Sequence, residues 1–197
     1  MSSTYSQTEI SPAWSPDEVP LESLPTVELT DDQLEYGRKI AERRISSYDR
    51  SKNARVCGEQ THLDAHVTGA VGEVAFALHY GSPMNTIDLP QGDNGYDFSI
   101  HGHSIDTKTT AAGMTRPDLL IPAKPKPAAD LYFLLHRISD RLVRIVGYAS
   151  IAQVLQSEPR HFPADIKNYV LAQDELSLPP DLNRGASQQT RQYRLRS

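Results

Sequence analysis

The stretch Gly95-Tyr96-Asp97-Phe98-Ser99-Ile100-His101-Gly102-His103-Ser104-Ile105-Asp106-Thr107-Lys108 decides how this chain is read. Phe98 and Ile100 fall on one side of a first arm, and Gly102 supplies a turn. Ile105, Thr107, Thr109 and Thr110 favour a β-strand as the second arm, on which Asp106 and Lys108 point to one face. Aspartate is a poor strand former, so something other than propensity holds Asp106 there. A cross-strand pairing of Asp106 or Asp97 with Lys108 is one explanation, worth only a fraction of a kcal/mol if exposed. Asp97, which follows Gly92-Asp93-Asn94-Gly95-Tyr96, is also readable as a turn residue before a strand. The chemical explanation is a divalent-metal site with a built-in cation, a combination suited to cleaving a phosphodiester.

Immediately upstream, Thr61-His62-Leu63-Asp64 reads as a helix start. Val67, Val71, Val74 and Leu78 then form a core-facing stripe. Gly69, Ala70, Gly72, Ala75 and Ala77 keep the other faces small enough for close backbone approach, and Gly81 is a natural stop. Glu73 is the only Asp, Glu, Lys or Arg between residues 65 and 86. A carboxylate in such surroundings is costly unless it is paired or binds a metal. It is either a surface glutamate, a salt-bridge partner of Lys108, or part of the site. In the last case Asp97 and Asp106 would ligate Mg²⁺, with Mn²⁺ able to substitute. The Thr107 backbone carbonyl would join them, and Glu73 would bond directly or through water. The ion would lower the pKa of a bound water. Lys108 would orient that water or stabilise charge developing on phosphorus.

Farther out, Thr30-Asp31-Asp32-Gln33 is a capping box opening a helix with Leu34, Tyr36, Ile40 and Ile45 on its apolar side. Residues 1–29, rich in Ser, Thr, Pro and Glu with a lone Trp14, are expected to form a disordered acidic tail. Residues 51–60 read as a loop, and a second loop carries Pro83 and Pro90. Short strands are expected near 119–121 and 169–171, longer ones over 130–137 and 142–148, and a helix capped by Ser150 runs to Leu155. Lys124-Pro125-Lys126-Pro127 is a rigid connector suited to presenting Lys124 and Lys126 to a phosphate backbone; an exposed linker is the plainer account. These elements make an α/β (α+β) three-layer core over 30–175, with 176–197 a basic tail.

The net charge of −5 is unevenly spread. Residues 1–32 hold seven acids and no Lys or Arg, leaving the remainder with 18 acids against 20 bases. Arg38, Lys39, Arg43, Arg44, Arg50, Lys52 and Arg55 cluster, and Arg184, Arg191, Arg194 and Arg196 lie near the end without an acid among them. Such patches neutralise phosphates, or form solvated faces. No membrane span or secretory signal is expected, and the single Cys57 fits a reducing, cytoplasmic setting. The spacing of Cys57, His62, His66, His101 and His103 matches no closed zinc site. Without a Gly-x-x-x-x-Gly-Lys loop, no nucleotide cofactor is expected.

The pattern Asp97…Asp106-Thr107-Lys108, with Glu73 on a preceding helix, resembles the PD-(D/E)XK nuclease superfamily. The run His66-Val67-Thr68-Gly69-Ala70-Val71-Gly72-Glu73-Val74-Ala75 is similar to the glutamate-bearing helix of many members. Ala129-Asp130-Leu131-Tyr132-Phe133-Leu134-Leu135 with Val146-Gly147-Tyr148 resembles the strands that follow the lysine. The likeness covers roughly residues 62–150. It implies a restriction-endonuclease-like core, a central mixed β-sheet flanked by helices. It also implies Mg²⁺-dependent hydrolysis of DNA, with an endonuclease the expected type and a homodimer a common arrangement. Asp97 and Asp106 map to the metal ligands, Lys108 to the catalytic lysine and Glu73 to the helix carboxylate. Tyr96 replaces the name-giving proline, and no long helical pattern separates the Lys108 strand from 130–137. The competing readings are a catalytically inactive DNA- or protein-binding module on the same fold, and a purely structural charge cluster.

Overall fold

The computed structural model describes residues 19–48, 62–84, 95–163 and 165–180. Along the chain come β1 (Thr26–Glu28), α1 (Asp31–Tyr48), α2 (His62–Tyr80), β2 (Phe98–Ile100), β3 (His103–Thr110) and β4 (Leu119–Pro122). They are followed by β5 (Leu131–Arg137), β6 (Leu142–Ser150), α3 (Ile151–Gln156), β7 (Arg160–His161) and β8 (Lys167–Leu171). Thr30 opens α1 as its pattern demands: its N–H donates to Gln33 Oε1 at 2.9 Å, and its Oγ1 accepts from Gln33 N–H at 3.3 Å. Ser150 likewise caps α3 by accepting from Gln153 N–H.

A five-stranded sheet in the order β1-β6-β5-β3-β2 forms the centre. β3 and β5 run parallel while the other neighbours are antiparallel, so the sheet is mixed. Parallel neighbours need a crossover, commonly a helix. Here the crossover is β4 with a proline-bearing loop, which accounts for the missing helical pattern between the two strands. β4 pairs with β8, and β8 with β7, in a second, three-stranded antiparallel sheet.

Alternation along β5 divides the core in two. Phe133 and Leu135 join Val71, Val74, Phe76, Ile105, Val143 and Ile145 under α2. Tyr132 and Leu134 join Leu119, Ile121, Val154 and Leu171 beneath β4, β8 and α3. The molecule is thus mixed α/β, with α2 and, behind it, α1 on one face of the sheet. The opposite face, expected to be helical too, is covered largely by the smaller sheet, with α3 contributing a single buried residue, Val154.

α2 is squeezed between α1 and the sheet, and its small residues permit this. A Cβ on Gly72 would lie 1.9 Å from Thr109 Oγ1, so α2 rests directly on β3 at that point. Ala70 meets Ile40 and Ala41 of α1 on the other side. Two expected stripe positions turn outward instead, Tyr36 and Leu78, each 46% exposed. Over residues 31–46 the buried positions of α1 are Gly37, Ile40 and Ala41, and α2 is buried continuously from Ala70 to Phe76 because it is packed on two sides.

Part of each segment expected to be a tail belongs to the folded core. β1 fills the open edge of β6 with Val27 opposite Val143, and Leu24 and Leu29 are buried. At the other end Leu176 is buried, and Ser177 exchanges two 2.9 Å backbone hydrogen bonds with Tyr148. Each segment borrows its order from a partner far along the chain, which composition does not register. Trp14, the loop expected at 51–60 with Cys57, Pro90 and the four arginines after residue 181 lie outside the described residues. Among the described residues no helix is long and apolar enough to cross a membrane.

Candidate active site

The β2–β3 hairpin turns through His101 and Gly102, both at positive φ (51° and 84°). A two-residue turn of this kind matches the twist of the strands it joins. It fixes the register Phe98 opposite Ile105 and Ile100 opposite His103. β2 begins only at Phe98, and the Asp97 side chain continues the pairing beyond it. Asp97 N–H donates to Ile105 O at 2.8 Å. Asp97 Oδ2 accepts from both Thr107 N–H and Thr107 Oγ1–H at 2.7 Å. Asp97 thus extends the pairing at the strand entry while also lining the cleft.

Asp106 and Lys108 share the strand face opposite Ile105 and Thr107. Lys108 Nζ donates to Asp106 Oδ1 at 2.8 Å and lies 2.7 Å from Oδ2. Burial pushes the Asp106 carboxyl up to about 6 despite this lysine, and Asp97, within hydrogen-bonding reach, adds to the push. For Lys108 burial pulls downward, but the charge of Asp106, their hydrogen bond and the charge of Asp97 outweigh it, so its pKa is raised. The two partners differ because Lys108 faces two acids, whereas Asp106 faces one base and another acid.

Glu73 enters from α2. Its side chain is only 9% exposed, and both oxygens are engaged by Arg44: Nη1 to Oε1 at 2.5 Å and Nη2 to Oε2 at 2.7 Å. Burial holds its pKa up at about 7 even though the Arg44 hydrogen bonds work against this; Asp97 raises it further. The salt bridge considered for Glu73 exists, but its partner is Arg44 rather than Lys108. Arg44 was not singled out from the sequence beyond its membership of a basic run. The available signal was its periodicity: position 44 continues the buried spacing of 37, 40 and 41 on α1.

These groups line one cleft of about 540 Å³, with Arg44, Glu73, Asp97, Asp106, Thr107 and Lys108 in its wall. Tyr132 forms part of the floor, its hydroxyl accepting from Ala129 N–H at 3.0 Å. Lys126 lies on the rim with Pro125 and Pro127; Lys124 is exposed and is not in the lining. Among the described residues no three His, Cys, Asp or Glu side chains gather as a metal cluster. The adjacent Asp97 and Asp106 carboxylates nonetheless fit Mg²⁺ or Mn²⁺, because Mg²⁺ takes one or two carboxylates and keeps several waters. Asp106, hard to ionise because it is buried and, further, because Asp97 lies beside it, is a group whose charged form a further cation would favour. No family model, curated protein or solved structure matches the chain.

Proposed function

We propose that the protein is a divalent-metal-dependent nuclease that hydrolyses DNA phosphodiester bonds, acting as an endonuclease on a restriction-endonuclease-like fold. The observation that carries this reading is the convergence of Asp97, Asp106 and Lys108 on one cleft, with Glu73 reaching it from a different element. Asp97 and Asp106, with the Thr107 carbonyl, would hold Mg²⁺ or Mn²⁺. When bound, the ion supplies a water of lowered pKa and positive charge beside the scissile phosphate.

The remaining work belongs to the chain. Thr107 fixes the Asp97 carboxylate through two hydrogen bonds, so this ligand is oriented in advance. Lys108, tethered to Asp106, is placed to orient the attacking water or to meet charge developing on phosphorus. Its raised pKa keeps it cationic at neutral pH. Lys126 on the rim is a backbone contact for the nucleic acid; Lys124 is a weaker candidate.

The test is cleavage of plasmid, linear duplex and single-stranded DNA with Mg²⁺ or Mn²⁺, comparing wild type with Lys108→Ala. Metal-dependent cutting that falls by about 100-fold or more in the variant is expected. Folded wild type that binds metal yet cuts none of the three substrates sinks the enzyme reading. One observation favours an inactive DNA- or protein-binding module instead: the Lys108–Asp106 and Arg44–Glu73 pairs already balance charge within the cleft. In a purely structural cluster, melting would be indifferent to Mg²⁺, whereas a ligand of the folded state raises it.

A further inference from the structure

We propose that Arg44 is a phosphate-gripping residue of the cleft and that Glu73 positions it instead of serving as a metal ligand. The inference rests on the nuclease reading and assigns two of its side chains different work.

The geometry of the pair points this way. A metal ligand must offer an oxygen, and both oxygens of Glu73 are held by Arg44 in a fork-to-fork arrangement. Such a bidentate pair fixes the plane of the guanidinium as well as its position. Glu73 is anchored in the most buried part of α2, between Gly72 on β3 and Val74 in the core, so it is a rigid mount. Arg44 is the more accessible partner, its side chain 31% exposed and lining the cleft. Phosphate and carboxylate offer a guanidinium the same pair of oxygens. A guanidinium can grip one anion by one edge and another by a second.

Charge leads to the same assignment. Among the described residues of the cleft lining, Arg44, Lys108 and Lys126 balance Glu73, Asp97 and Asp106. A divalent ion held by Asp97 and Asp106 would leave that lining with a surplus of two positive charges. A phosphodiester backbone is the polyanion that such a surplus attracts. Drawing Glu73 into the metal shell would instead strip Arg44 of its mount and spend three carboxylates where two suffice.

The experiment uses the full chain and separates DNA grip from metal binding. Binding of a short duplex with a non-hydrolysable backbone in Mg²⁺ is measured against salt, Mn²⁺ binding is followed by electron paramagnetic resonance, and folding is checked by melting. Arg44→Lys keeps the charge and loses the fork; it should keep Mn²⁺ binding and weaken the duplex about tenfold. Arg44→Gln should lower the salt slope by about one. Glu73→Gln should weaken the duplex while Mn²⁺ affinity holds, and Asp106→Asn should lose Mn²⁺. Loss of Mn²⁺ binding in Glu73→Gln to the degree seen in Asp106→Asn would overturn the assignment, as would duplex binding by folded Arg44→Lys and Arg44→Gln with wild-type affinity and slope. Wild type that binds neither Mn²⁺ nor DNA would instead take down the nuclease reading on which the assignment stands.

Discussion

Two ion pairs line the same cleft, and they are built in opposite ways. Lys108 and Asp106 are two residues apart on one strand, so the pleat alone brings them together. Arg44 and Glu73 are 29 residues apart, and only the packing of α1 on α2 makes them meet. The first pair ties nothing but its own strand and can serve chemistry with little effect on the fold. The second joins two helices over a carboxylate that is hard to keep charged. One cleft can therefore mix a locally encoded ion pair with a globally encoded one.

Removing one partner from each pair gives the widest separation. Arg44→Met leaves Glu73 buried without its fork and should destabilise the protein by about 3 kcal/mol at pH 8, the low end for breaking a buried pair because Arg44 is partly exposed. Lys108→Met severs no link between elements and should lower stability less while removing cleavage. Chemical denaturation of both variants checks this. Equal losses would mean that the two pairs do the same structural work.

The next largest effect concerns pH. Glu73 and Asp106 have folded pKa values of about 7 and about 6, above their ordinary values, so the folded state holds protons that the unfolded chain releases. Stability from these groups is fully present below about pH 4 and lost as pH rises through 6 and 7. His136 works in the other direction, since burial and Arg144 lower its pKa and favour the folded state as pH rises. The informative quantity is thus a difference: melting of wild type minus Glu73→Gln, from pH 5 to 8 in EDTA. It should fall with pH, and Mg²⁺ at pH 7.5 should recover part of the wild-type loss. A difference that rises across this range contradicts the burial argument for Glu73.

The same contrast separates what is legible in the sequence from what is not. Asp97, Asp106 and Lys108 lie within twelve residues, and strand alternation with one turn sufficed to group them. The capping box at Thr30 and the apolar runs that became β5 and β6 were equally local. Arg44 is hidden in a run of bases whose other described members, Arg38, Lys39 and Arg43, do face solvent. β1 was hidden in an acidic, proline-bearing segment because only three residues pair, and their order comes from β6. The pairing of β4 with β8 spans some fifty residues and left only the hint of two short strands. The outward turn of Leu78 followed from α2 being wedged between two layers, a fact of assembly rather than periodicity.

Gly72 is where the helical layer meets the hairpin strand, so it probes the contact between the two halves of the cleft. Gly72→Ala forces a methyl against Thr109 Oγ1 and should cost about 2 kcal/mol through overpacking. Because Glu73 is the next residue, displacement of α2 should also carry the Arg44–Glu73 pair away from Asp97 and lower cleavage. Thr109→Ala in the same chain removes the hydroxyl that is struck and should restore part of both losses. Denaturation and cleavage assays on the single and double variants test this; no recovery would show that backbone, rather than Thr109, sets the limit.

The smallest effect lies farthest from the site. Thr30→Ala removes the side-chain half of the reciprocal cap and should cost about 1 kcal/mol. The start of α1 has other anchors: Leu29 N–H donates to Arg141 O at 2.8 Å, and Arg141 also pairs with Asp31. Fraying should therefore stop within the first turn, well before Gly37 packs against Val71 and before α1 delivers Arg44 fourteen residues on. Melting should drop slightly while duplex affinity and metal-dependent cleavage stay at wild-type levels. If instead Thr30→Ala weakens duplex binding as Arg44→Lys does, α1 moves as a rigid lever from its cap to the cleft. The position of Arg44 would then be set by the whole helix rather than by its local packing on α2.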